Sequence, residues 1–260
     1  GLTVLRAITA KLPQYNYIYL GDNSRSPYGN RSFETVYHYT LQCVEWFFAQ
    51  GCPLVILACN TASAKALRTI QQNDLQRIGP DKRVLGVIRP STEIVGQFTK
   101  SKKVGILATN GTVQSQSYVI EIQKFFPDVE VIQEPCPMWV PLVENNEYES
   151  HGADFFIKKH IHQLLKKDPL IDTILLACTH YPLLLKKITE YTPVDIKVLT
   201  QGDIVANSLA DYLHRHQEIN EQIARDGKLA FYTTDSAEDF DSHAAVFYGS
   251  PLKSKHVDIG

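Results

Sequence analysis

Leu54-Val55-Ile56-Leu57-Ala58-Cys59-Asn60-Thr61 is the stretch on which the reading of this chain turns. It is an apolar run too short for a core helix, rich in residues that suit a strand, and it stops at Ala-Cys before polar residues. A helical pattern follows it. Thr173-Ile174-Leu175-Leu176-Ala177-Cys178-Thr179-His180 repeats the arrangement about half a chain later. A continuous apolar strand followed by a helix marks a parallel sheet covered on both faces, because the crossover helices must bury against the strands. The repeat predicts two similar α/β lobes.

Working outward, the same signature gives candidate strands at Tyr17–Leu20, Val84–Ile88, Val104–Leu107, Val129–Ile132, Lys197–Leu199 and Leu229–Tyr232, beside Leu54–Ala58 and Thr173–Ala177. Helical periodicity lies between them. Ser32 is placed to cap a helix that carries Val36, Leu41, Val44 and Phe48 and stops before Gly51. Further helices are expected from Ala153 to Lys167 and from Asp203 to His214, and their apolar stripes read as core. The expected fold class is α/β, with mainly parallel sheets flanked by helices.

The bulk numbers exclude several functions. The 260 residues are 44% hydrophobic and 21% charged, with a net charge of −2. No basic field points to nucleic acid or to a membrane surface. No apolar run approaches the roughly 20 residues of a membrane span. No signal peptide is recognisable in the opening Gly1-Leu2-Thr3-Val4-Leu5, so the cytoplasm is the expected compartment. Cysteines at 43, 52, 59, 136 and 178 form an odd, widely spaced set with no C-x-x-C pair, which fits neither a disulfide framework nor a zinc site.

In open α/β sheets, ligands bind at the carboxyl ends of the strands, where Cys59 and Cys178 both fall. Cys43 in a helical stripe, Cys52 before a strand and Cys136 in a loop read instead as structural thiols. One thiolate and one thiol on opposite faces of a carbon can invert a stereocentre, one removing a proton and the other supplying one. A free thiol is only slightly ionised at neutral pH, so each needs a donor or a neighbouring base. The helix expected after each cysteine offers its positive end, and His180 is placed to handle the proton of Cys178. Asn60, Thr61 and Thr179 offer donors for the charge that develops on a substrate carboxylate.

Ala58-Cys59-Asn60-Thr61-Ala62-Ser63 and Ala177-Cys178-Thr179-His180-Tyr181-Pro182 resemble the motifs of glutamate racemases in the aspartate/glutamate racemase superfamily. Tyr19-Leu20-Gly21-Asp22, Pro27-Tyr28-Gly29, Gly86-Val87-Ile88-Arg89-Pro90 and the segment Pro135 to Glu144 extend the resemblance, which runs from Gly1 to about Ala206. It implies two pseudo-twofold related lobes, residues 1–87 with 200–260 and residues 88–199, with the site between them. It further implies cofactor-independent racemisation of glutamate, supplying D-glutamate for peptidoglycan. Cys59 and Cys178 would be the acid/base pair, and Glu144 would stand near the second thiol and its His180. Tyr28, Gly29, Asn60, Thr61, Thr179 and His180 would hold the substrate, with Thr109 and Thr112 near its carboxylate. For Thr109 and Thr112 helix capping is the plainer alternative, and for Glu144 an exposed surface position. Arg89 stands where the family has Glu and receives no role; Asp22 reads equally as a turn residue.

The resemblance also implies a first strand ending in Asp-Ser-Gly, ahead of the segment that opens here with Gly1-Leu2-Thr3-Val4. About 10–15 further residues are therefore expected at the natural start, a strand and its loop. Small-molecule substrate is the expected partner, with no nucleic acid, membrane, metal or cofactor; homodimer assembly is left open. Competing readings are an aspartate or other amino-acid racemase, a Cys-nucleophile hydrolase or amidotransferase, and a non-catalytic α/β binding module. No lysine, Lys65 included, has the context of a Schiff-base residue.

Overall fold

The computed structural model describes residues 1–260. The chain divides into two compact units, Gly1–Val87 with Gly202–Gly260, and Ile88–Gln201. No helix is long and apolar enough to cross a membrane.

The first unit holds two parallel sheets. Strand β1 (Tyr17–Gly21) pairs with β8 (Leu229–Thr233), which pairs in turn with β9 (Ser254–His256). Strands β2 (Leu54–Leu57) and β3 (Arg83–Gly86) form the other sheet, with Leu57 opposite Gly86. Alternation along β2 sorts its side chains between two cores. Val55 and Leu57 pack with Val44 and Phe48 of helix α2 (Phe33–Ala49), while Leu54 and Ile56 turn to a core containing Val4, Ile8, Val205 and Leu209. The latter four come from helices α1 (Leu2–Lys11) and Gly202–Arg215.

Helix α1 was not anticipated. Its signal is the i, i+4 pair Val4 and Ile8 beside Leu2 and Leu5 one face round, and the two sets enter different cores. Leu2 and Leu5 pack with Phe231 of β8 and with Phe240 of the following helix, Ala237–Tyr248, so α1 bridges the two sheets of the unit. Ser32 caps α2 as expected, accepting a hydrogen bond from the Thr35 amide at 3.1 Å. Gly51, just past its end, takes φ +81°, which a side chain would strain.

The second unit holds one four-stranded parallel sheet in the order β5 (Glu130–Pro135), β4 (Lys103–Ala108), β6 (Thr173–Ala177), β7 (Lys197–Leu199). The central β6 is buried along its whole length, as a strand covered on both faces must be. Helix His151–Lys167 packs its Ile157, Ile161 and Leu164 inward and is capped by Ser150, whose hydroxyl accepts from the Ala153 amide at 3.2 Å. Gly105 on β4 admits that helix closely: a Cβ there would lie 2.7 Å from Leu164 Cδ2. The expected strand Val84–Ile88 ends earlier, because a short helix, Ile88–Thr92, begins at its last residue.

Candidate active site

Register brings candidate site residues of the second unit to one sheet edge. Ala108 of β4 lies opposite both Pro135 of β5 and Ala177 of β6. The next residue of each strand, Thr109, Cys136 and Cys178, therefore leaves the same edge of the sheet. Cys178 is 7% exposed, and its Sγ lies 3.8 Å from His180 Nδ1. The other ring nitrogen, Nε2, forms a hydrogen bond with Glu144 Oε1. Glu144 ends the helix Trp139–Glu144, while His180 precedes the turn Tyr181–Leu184.

This order of contacts has a chemical consequence. A carboxylate only accepts, so the proton on the His180–Glu144 bond belongs to Nε2, which leaves Nδ1 bare toward the thiol. Nδ1 can then accept the Cys178 proton, and Glu144 offsets the charge of the imidazolium that forms.

Thr109 is the cap of helix Asn110–Gln114: its hydroxyl accepts from the Thr112 amide at 3.4 Å and lies 3.2 Å from the Thr112 hydroxyl. Capping is thus realised at this pair, and both hydroxyls are buried at the strand end next to Cys178. Thr179 is buried as well. Behind them, the Tyr181 hydroxyl donates to the Cys136 carbonyl at 3.3 Å, and its ring meets Trp139 edge-on at 4.8 Å. Cys136 is fully buried, its Sγ 3.6 Å from the Glu134 carbonyl, and burial holds its thiol well above the usual range.

In the first unit, Cys59 follows β2 and occupies the N-cap position of helix Asn60–Lys65. Asn60, Thr61, Ser63 and Lys65 of that short helix are all buried. Ser63 fixes the strand ends, donating to the Leu57 carbonyl at 2.9 Å and accepting from the Val87 amide at 3.3 Å. Lys65 Nζ donates to the Arg31 carbonyl at 2.7 Å, and burial lowers its pKa. The two cysteines differ here in a way the repeat did not foretell. Cys59 sits at a helix start, whereas Cys178 is followed by a 3-10 turn, so the helix dipole serves at most the first thiol.

Tyr28 and Gly29 lie in the loop between β1 and α2. Their surroundings were not anticipated. The Tyr28 hydroxyl donates to Asp22, which also binds Arg25, and Arg25 Nη2 lies 3.6 Å from Cys43 Sγ. Cys43 thus belongs to a polar cluster as well as a helix stripe, although burial still pushes its thiol up to about 12. The only sequence signal was the proximity of Asp22 to Tyr28, and nothing local marked Arg25 or Cys43. Arg89 is exposed and pairs with Glu93 at 2.8 Å.

The fold is α/β, with a cysteine beyond the carboxyl end of a parallel strand in each unit and a His–Glu pair beside one of them. The chain belongs to the Asp/Glu/Hydantoin racemase family, whose model matches residues 3–209. The glutamate racemase of Persephonella marina is 33% identical, over 100% of this chain and 93% of its own length. A crystal structure of a glutamate racemase isoform from Bacillus anthracis aligns with a TM-score of 0.89 at 32% identity, covering 99% of this chain and 93% of that one. The glutamate racemase of Francisella tularensis, solved with D-glutamate, aligns with a TM-score of 0.86 at 27% identity, covering 100% and 94%.

Proposed function

We infer that this chain interconverts L- and D-glutamate by proton exchange at the α carbon, with Cys59 and Cys178 as the two acid/base groups and no cofactor. The observation that carries the mechanism is the contact sequence Cys178–His180–Glu144 at the end of β6. Full-length similarity to glutamate racemases supports the substrate, as does the D-glutamate bound to the Francisella protein.

In one direction Cys178 gives its proton to His180, and the thiolate removes the α hydrogen of one enantiomer. Cys59, as thiol, delivers a proton to the opposite face of the same carbon. The reverse direction exchanges the two roles. Negative charge passes onto the substrate α-carboxylate during the step, and buried hydroxyl and amide donors beside each thiol are suited to meet it. Asn60, Thr61, Tyr28 and Gly29 serve on one unit, and Thr109, Thr112, Thr179 and His180 on the other. Both thiols must stay reduced, which fits the cytoplasm. The product is D-glutamate for peptidoglycan synthesis.

The test is incubation with L-glutamate in deuterated water, following α-proton exchange by NMR and handedness by circular dichroism. Racemisation with deuterium incorporation is expected, and Cys59→Ala and Cys178→Ala each abolish it. Preference for aspartate, or activity that survives loss of either cysteine, would overturn the proposal.

A further inference from the structure

We propose that Arg25 is the positioning residue of the Tyr28–Gly29 turn, acting through Asp22. This rests on the reading of that turn as part of the glutamate site. Asp22 follows the last residue of β1 and is anchored to the segment after β8, where the Thr234 hydroxyl donates to its Oδ1 at 3.0 Å. Tyr28 donates to its Oδ2. Arg25 Nε lies 2.8 and 2.9 Å from the two carboxylate oxygens. One carboxylate thus ties the sheet to the turn, and Arg25 is its counter-charge.

The guanidinium is itself fixed on every side. Nη1 donates to Gln42 Oε1 at 2.5 Å and to the Gly260 carbonyl at 3.2 Å, and Nη2 reaches Cys43 Sγ. Its plane sits 4.5 Å from the ring centre of Tyr39, which also packs against Tyr28 at 6.1 Å. The side chains of Arg25 and Asp22 are only 12% and 10% exposed. With its nitrogens already spent on protein acceptors, Arg25 acts on the loop and leaves substrate contact to others. Without it, Asp22 is a nearly buried carboxylate lacking its cation, a state relieved by rotation of the carboxylate away from its place. That rotation removes the acceptor that orients Tyr28, and the turn loses its set position.

A positioning role separates binding from chemistry. Steady-state racemisation of glutamate is to be measured for the wild type, Arg25→Lys, Arg25→Ala, Asp22→Asn and the Arg25→Lys/Asp22→Asn pair, with thermal midpoints alongside. Arg25→Ala is expected to raise KM roughly tenfold or more with kcat within about twofold, and Arg25→Lys to restore part of the loss. Asp22→Asn should raise KM similarly, and the pair should cost no more than the worse single change, because both break one interaction. Arg215→Ala, which removes an exposed arginine paired with Asp211, should change neither constant.

Unchanged KM in the Arg25 variants, or multiplying effects in the pair, overturns the proposal. If Arg25→Ala does not fold, Arg25→Lys decides. A wild type that does not racemise glutamate sinks the proposed function and this inference together, whereas an active wild type with indifferent Arg25 variants sinks the inference alone.

Discussion

His180 stands between two partners that ask different things of one ring. Glu144 holds the Nε2 proton, and the proposed role of Cys178 asks for an unprotonated Nδ1. Glu144→Gln keeps the shape but removes the charge that offsets an imidazolium, so it should lower kcat about tenfold in the direction where Cys178 is the base. The opposite direction should suffer less, and comparison of kcat from L- and from D-glutamate tests this; equal loss in both would refute it. The sequence placed His180 beside Cys178 because only Thr179 separates them on one loop. Glu144 was named only by resemblance, since no local pattern links residues 36 apart. Arg25 escaped notice for the same reason: its partners Gln42 and Cys43 come from a different element, and only a fold brings them together.

At the scale of elements, legibility followed burial. Strand β6 reads directly as Thr173–Ala177 because all five of its residues are buried and apolar or β-branched. Strand β9, Ser254–His256, has partly or fully exposed polar residues and no such pattern, and it was missed; its identity comes from pairing with β8 alone. The stripes of helices Phe33–Ala49, His151–Lys167 and Gly202–Arg215 were legible for the same physical reason as β6, and Ser32 was legible as a cap, whereas the Ser150 cap was not anticipated. Ser150→Ala should destabilise the protein by about 1 kcal/mol, read from urea unfolding, through loss of the bond to the Ala153 amide. Gly105→Ala is expected to cost on the order of 1–3 kcal/mol, because the new methyl meets Leu164 across a packed helix–sheet contact. A neutral result in the same unfolding experiment would show that the helix can give way.

For the molecule as a whole, acid stability has an identifiable contributor. Burial tends to raise the Asp172 pKa, but hydrogen bonds from Thr99, the Ser101 and Lys100 amides and Thr173 outweigh it and hold the group at about 2. A carboxyl depressed in the folded state stabilises fully above its unfolded pKa, near 4, and loses that contribution as pH falls toward 2. Asp172→Asn should therefore cost about 1 kcal/mol at pH 7, allowing for solvent screening, with the gap from wild type closing between pH 4 and 2. A gap that persists at pH 2 would assign the effect to geometry instead of charge.

Strand β1 finds its neighbour β8 only after some 210 further residues of chain. On a ribosome adding about 5–20 residues per second, that is a wait of roughly 10–40 seconds. The unit Ile88–Gln201 is continuous and is finished first, so it can fold while Tyr17–Gly21 still lacks its partner. During that interval the Asp22 loop has no Thr234 to anchor it, and the nascent chain carries an unpaired apolar strand. Synthesis, then, is when this protein is most exposed to aggregation, and slower translation of the last sixty residues would lengthen the exposure.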